Sequence, residues 1–260
     1  MNPPSAAAPI VLVGDRFDHF SGAGLGVGVT GFAEAVGRGD YDDLAGPVQV
    51  HLGQGLDEAA VAEAGEAVER RGLARQLLLD PRDLPTPVET RAVHKHDARN
   101  VLLADFEHCG PYTFEASLRL HNDNELLQDH QAGAHLQGMV LVEAARQMFL
   151  AVCELAYLRP WPDRRFSFLL TQVDTKFERL VFPLPMQMRL TAHRADTENV
   201  NRMQFDTETR FVQGGREAAT TRVAAMVRPL DRTTPVELRT AATAIAALEK
   251  AKKARPLAGR

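Results

Sequence analysis

The chain has 260 residues, 45% of them hydrophobic, a formal net charge of −4 and two cysteines. That is enough material for one large or two modest domains, and the acidic balance argues against a general nucleic-acid binder, which presents a basic face. Cys109 and Cys153 lie far apart and outside any CxxC spacing, which excludes a disulfide scaffold and a thiolate zinc site.

Residues 1–8 are small and Pro/Ala-rich, with no basic n-region or long apolar core, so no signal peptide is expected there. No apolar run reaches the ~20 residues needed to span a bilayer, and the expectation is a soluble cytoplasmic protein. Ile10–Val13 reads as a buried strand ending at Gly14-Asp15, residues 28–37 as a short helix, and Val48–Leu52 as an alternating strand. Asp57 is placed to cap a helix from Glu58 to about Arg71, which Gly72 ends. Strand–helix–strand–helix order predicts a small α/β unit. Within it, Gly22, Gly24, Gly26 and Gly28 recur at every second residue rather than as GxGxxG. A surface loop is therefore expected rather than a dinucleotide site.

Pro81, Pro85 and Pro87 break the pattern. The expected division is 1–88 for the α/β unit, 89–232 for a second domain and 233–260 for an Ala-rich tail with a basic end. In the second domain Val101–Phe106 and Tyr112–Leu120 read as a hairpin around Cys109-Gly110-Pro111. Met139–Leu158 is the longest helical segment, with an apolar stripe at Ala144, Met148, Ala151, Val152 and Leu155. Four strand-like stretches follow: Phe166–Leu170, Met186–His193, Phe205–Phe211 and Thr221–Val227. Their alternation predicts an antiparallel sheet with one covered face, and an α+β domain with one long helix.

The run from Asp129 to Gln147 carries the chemistry. His130 and His135 precede Gly138, and the apolar stretch that follows holds one acid, Glu143, with Gln147 four residues later on the same helix face. A His-bearing loop feeding a helix with a lone acid is the layout of an acid/base site. Taken singly, each residue has a plainer reading. The histidines can be solvated, Glu143 can lie on a polar stripe, Gln147 can be a surface amide and Asp129 a turn residue. His94, His96 and Asp97, or His121 and Asp123, lack further ligands at a recurring spacing, so no metal site is expected. His94, Lys95, His96 and Arg99 form a local basic cluster, either a solvated strand entrance or a contact for a phosphate or an acidic carrier.

Gly138-Met-Val-Leu-Val-Glu-Ala-Ala-Arg-Gln147, with His135 three residues before it, resembles the signature of the A-factor biosynthesis hotdog family. Gln137 stands where that family often has proline. The run is also similar to hotdog β-hydroxyacyl-ACP dehydratases, which place a His upstream of a Gly and a Glu-x-x-x-Gln on the central helix. The resemblance implies a hotdog fold, a sheet wrapped around Met139–Leu158, preceded by the α/β unit. It implies an enzyme on acyl-carrier-protein thioesters in secondary metabolism. Dehydration of β-hydroxyacyl-ACP is the leading expectation. A γ-butyrolactone-type transfer of a β-ketoacyl group to a dihydroxyacetone-phosphate-like alcohol, a non-catalytic partner subunit and a thioesterase are the others. The expected base is His135 or His130, and Glu143 is the acid, its pKa raised by burial. Gly138 and Met139 line the acyl group's approach, Gln147 holds Glu143, Asp129 orients a histidine and Arg146 pairs with an acid in a dimer. The expected partners are an acyl carrier protein and a second hotdog chain, in a homodimer or heterodimer. No cofactor is expected beyond the carrier's phosphopantetheine.

Overall fold

The computed structural model describes residues 9–128 and 134–254. Its first part is a four-stranded parallel sheet in the order β2-β1-β3-β4. The strands are β1 (Ile10–Val13), β2 (Val27–Gly28), β3 (Val48–Leu52) and β4 (Leu77–Leu78). Between them run the helices α1 (Asp18–Gly22), α2 (Val29–Arg38) and α3 (Glu58–Arg71). The Asp57 side chain accepts the Ala60 N–H, and Gly72 closes α3 with a φ of 75°, as the sequence predicts. The glycine-rich stretch is not a plain loop, since it contains the end of α1 and all of β2. Asp15 caps the start of α2, accepting the Thr30 N–H at 3.2 Å and its hydroxyl at 2.7 Å.

The second part is a six-stranded antiparallel sheet in the order β5-β6-β8-β9-β10-β7. These strands are β5 (Leu103–Gly110), β6 (Thr113–Leu118), β7 (Phe166–Phe177), β8 (Gln187–Asp196), β9 (Met203–Gln213) and β10 (Arg216–Pro229). A short α4 (Glu125–Gln128) precedes the long α5 (Gly138–Val152), which continues as a π-helical turn over Cys153–Tyr157. The sheet wraps α5, burying Val140, Leu141, Ala144, Ala145, Met148 and Val152 against β6 and β8 residues such as Phe114, Leu118 and Leu190. Burial of such side chains supplies ~1.5–3 kcal/mol each before entropy is counted. This is the hotdog arrangement. Finally α6 (Leu230–Ala254) leaves β10 with Val236, Leu238, Ile245 and Leu248 exposed.

The two parts share a core, because Val13, Phe17 and Phe20 pack in one cluster with Leu120, Leu136 and Val181. In open parallel sheets the crevice at the carboxyl ends of the strands is where ligands bind. Here the antiparallel part packs onto that edge at Gly14 and Gly53 and leaves a cavity of about 450 Å³ beside β3, lined by Gln54, Leu118, Arg119 and Met186. A side chain on Gly53 would start 2.3 Å from the Pro183 carbonyl, and one on Gly14 would start 2.6 Å from Asn122 Oδ1. Buried Gln54 donates to the carbonyls of Leu118 and Leu184 and accepts the Leu120 N–H. Buried Arg119 answers from the other side, donating to the Pro85 carbonyl and to Glu58.

Candidate active site

Helix α5 starts without a side-chain cap: Gln137 makes no capping hydrogen bond, and the first turn contains no acid. Its opening N–H groups thus keep their partial positive charge, which suits an acyl oxygen. The backbone of Leu136 donates to the Val181 carbonyl at 2.7 Å, tying the entry loop to the segment after β7. His135 lies on that loop, half-buried, and its ring forms no hydrogen bond among the described residues. Asp129 and His130 fall outside the described residues. Gly138 was expected to leave room for an acyl chain; the structure places the Phe177 ring of β7 there, 2.8 Å from where a Cβ would stand. Met139, the next residue, is 58% exposed on the helix face that the sheet leaves open.

Glu143 lies one turn further along that face and is mostly covered. Its Oε1 receives Lys95 Nζ at 2.8 Å, Arg146 Nη2 at 2.9 Å and Gln147 Nε2 at 3.1 Å, while Oε2 receives Arg146 Nε at 2.7 Å. A carboxylate offers about four acceptor sites, two on each oxygen; three donors crowd Oε1, so the open site is on Oε2, which takes only Arg146 Nε. Burial by itself would push the carboxyl pKa up, but the hydrogen bonds from Arg146, Lys95 and Gln147 outweigh it and hold the value at about 2. The expectation of a burial-raised, protonated Glu143 is therefore corrected. Its apolar sequence neighbours are not its spatial ones, and two cations and an amide keep it ionised. Arg146 was expected to pair across a dimer; it pairs with Glu143 in its own chain, and its guanidinium pKa is raised by that contact.

Gln147 is fully buried rather than a surface amide. Besides Glu143 it binds the Asn100 carbonyl at 2.9 Å and accepts the Leu102 N–H at 2.8 Å, so it locks α5 to the segment entering β5. The structure thus unites Glu143, Arg146 and Gln147 and adds Lys95, which the sequence offered only as part of a basic cluster. No hydrogen bond or ion pair joins His135 to this group among the described residues. His94, next to Lys95, sits 2.8 Å from Glu154 of the π turn and packs edge-on to Phe168. His121 Nε2 lies 3.1 Å from Asp57, and its Nδ1 accepts the Asp123 N–H. Among the described residues no three His, Cys, Asp or Glu side chains cluster as a metal site, and no helix is long and apolar enough to cross a membrane.

Among solved structures the chain is similar to a mutant thioesterase from Pseudomonas aeruginosa, at 16% identity and a TM-score of 0.37, covering 49% of this chain and 82% of that one. A thioesterase from Haemophilus influenzae matches at 14% identity and a TM-score of 0.38, over 56% of this chain and 96% of that one. The dehydratase heterocomplex from Xenorhabdus doucetiae matches at 15% identity and a TM-score of 0.41, over 55% and 91% respectively. No curated protein matches the chain. The A-factor biosynthesis hotdog domain matches residues 79–229, a span that holds the whole antiparallel sheet, α5 and the Glu143 cluster. The chain belongs to the A-factor biosynthesis hotdog domain family.

Proposed function

We propose that the protein is an acyltransferase that moves an acyl group from an acyl-carrier-protein thioester to a hydroxyl acceptor. One observation carries this reading: Glu143 is a fixed, ionised carboxylate that accepts three hydrogen bonds from Arg146 and Gln147 and an ion pair from Lys95, with one of the two acceptor positions of Oε2 left open. A group in that state cannot donate a proton to a departing β-hydroxyl, which dehydration would require of it. It can accept the O–H of an incoming alcohol and aim the oxygen at a carbonyl. The acyl carbonyl would lie at the uncapped N-terminus of α5, where N–H groups stabilise the developing oxyanion. The hydroxyl would turn its one proton from Glu143 to His135 as the new C–O bond forms. His135 would return that proton to the sulfur as the C–S bond breaks, and water in place of the alcohol would give hydrolysis.

The acyl group would arrive on the carrier's phosphopantetheine, and a dihydroxyacetone-phosphate-like alcohol is the acceptor class that the family suggests. A second hotdog chain is expected beside β7. The other edge strand, β5, is interrupted by two register shifts and by Asp105 at a φ of 48°, devices that discourage edge pairing. β7 has a single register shift, at Thr171, and exposes Leu170, Val173 and Phe177.

Purified protein should be incubated with β-ketoacyl- and β-hydroxyacyl-carrier protein, with and without dihydroxyacetone phosphate, and the products read by mass spectrometry. Acceptor-dependent loss of the acyl group with ester formation is expected, falling ~10²–10⁴-fold in His135→Ala. Loss of water from the β-hydroxyacyl substrate, with no ester from either, would reinstate dehydration.

A further inference from the structure

Lys95 is remote from α5 in sequence, yet its side chain is only 25% exposed and its ammonium reaches Glu143. Its placement is built by three features outside that contact. A 3-10 turn over Thr90–Val93 buries Ala92 and Val93. His94 then takes a φ of 55°, a left-handed conformation uncommon for a residue with a side chain, and Lys95 closes the turn by donating its N–H to the Thr90 carbonyl at 2.9 Å. The His94 ring is held on two sides, by Glu154 at 2.8 Å and by Phe168 with ring centroids 4.9 Å apart. Glu154 stands in the π turn at the far end of α5, a local rearrangement of the helix ladder. The chain therefore reverses at a pinned histidine and delivers its next residue onto Glu143.

Arg146 and Gln147 share a helix with Glu143, so neither guanidinium nor amide relates the carboxylate to a second charged segment. Lys95 does. These three, with no other charged group in ion-pair reach among the described residues, are what Glu143 faces. We propose that Lys95 is a positioning residue of the active site: its ammonium, aimed by the His94–Glu154 pair, fixes the Glu143 carboxylate so that one acceptor position stays available to the incoming hydroxyl. This rests on the acyl-transfer reading of Glu143.

The test uses the full chain with Lys95→Met, Lys95→Arg and Glu143→Gln, assayed for kcat and KM and titrated by carbon NMR of glutamate labelled at its carboxyl. The Glu143 resonance is assigned by its loss in Glu143→Gln. Lys95→Met is expected to lower kcat by about 10- to 100-fold with KM little changed, and to raise the midpoint of that resonance by about one to three pH units. Lys95→Arg should restore most of both. If Lys95→Met does not fold, Lys95→Gln, which keeps an N–H donor, carries the same readouts. Unchanged kcat and an unmoved resonance, with Glu143→Gln inactive, would overturn the role of Lys95 and spare the acyl-transfer reading. Full activity in Glu143→Gln would overturn that reading and the positioning role together.

Discussion

The ring of Phe177, at the end of β7, occupies the space in which a side chain on Gly138 would begin, with Cζ 2.8 Å from the position of a Cβ. The first residue of the central helix is thereby in contact with the last residue of the exposed edge strand. Gly138→Ala should force the ring outward, and because Phe177 is 52% exposed the cost should stay near that of one off-rotamer side chain, ~0.5–1.5 kcal/mol. Phe177→Leu in the same chain should recover part of the loss. A double-mutant cycle from urea melts measures this coupling, and strictly additive effects would show that the contact carries no energy.

Glu143 should make stability depend on acid. Its carboxyl, at about 2 in the folded chain against an ordinary 4.5, stabilises the fold fully above the unfolded value. That contribution is lost as pH falls towards 2, and the shift corresponds to about 3 kcal/mol. Glu143→Gln removes the titration, so wild type should exceed it by most near pH 6 and by least near pH 3. Urea melts at pH 6, 4 and 3 give the comparison, and a gap that does not narrow would mean the cations do not hold the carboxylate down.

Val173 faces outward from the middle of β7, 41% exposed. Val173→Lys puts a charge where a partner strand would pair, a substitution that discourages edge-to-edge association. Light scattering should find wild type at twice the 28.5 kDa chain mass and the variant at the chain mass itself. A monomeric wild type at micromolar concentration would count against pairing along β7.

Gln54 hydrogen-bonds three backbone groups of the antiparallel part from a position only 4% exposed. Gln54→Ala would leave the Leu120 N–H and the Leu118 carbonyl without that partner, while Gln213 still donates to the Leu184 carbonyl. The expected cost is ~1–3 kcal/mol for each buried group left unmet, read as a lower Tm by calorimetry. A Tm equal to wild type would show that water replaces the amide without penalty.

Local chemistry made much of the fold readable. The Asp57 cap and Gly72 stop of α3 are short-range signals, and the strict alternation of Phe205–Phe211 appears as β9. Where the signal depended on distant partners it failed. β7 extends to Phe177, well past the apolar Phe166–Leu170, because an edge strand with solvent on both faces loses its alternation. The π turn leaves no trace in helical periodicity. At the site, the motif pointed to Glu143, Arg146 and Gln147 as residues of one helix. Lys95 could not be matched to them, since the contact depends on how a left-handed turn at His94 folds back. The charge state of Glu143 is not legible in the sequence for the same reason: residues adjacent in a helix point to different sides, so apolar neighbours in sequence say little about what surrounds a side chain.

The core shared by the parallel sheet and the antiparallel part bears on how the chain can be cut. A fragment trimmed to residues 79–229 would keep the entire family signature but lose Val13, Phe17, Phe20 and Gln54. It would bare Leu120, Val181 and Phe182 beside the loop that carries His135. Such a fragment should be prone to aggregate and its entry loop should be loosely held, because exposed apolar patches seek other surfaces. The portion of the chain recognisable by ancestry is smaller than the portion that must fold together.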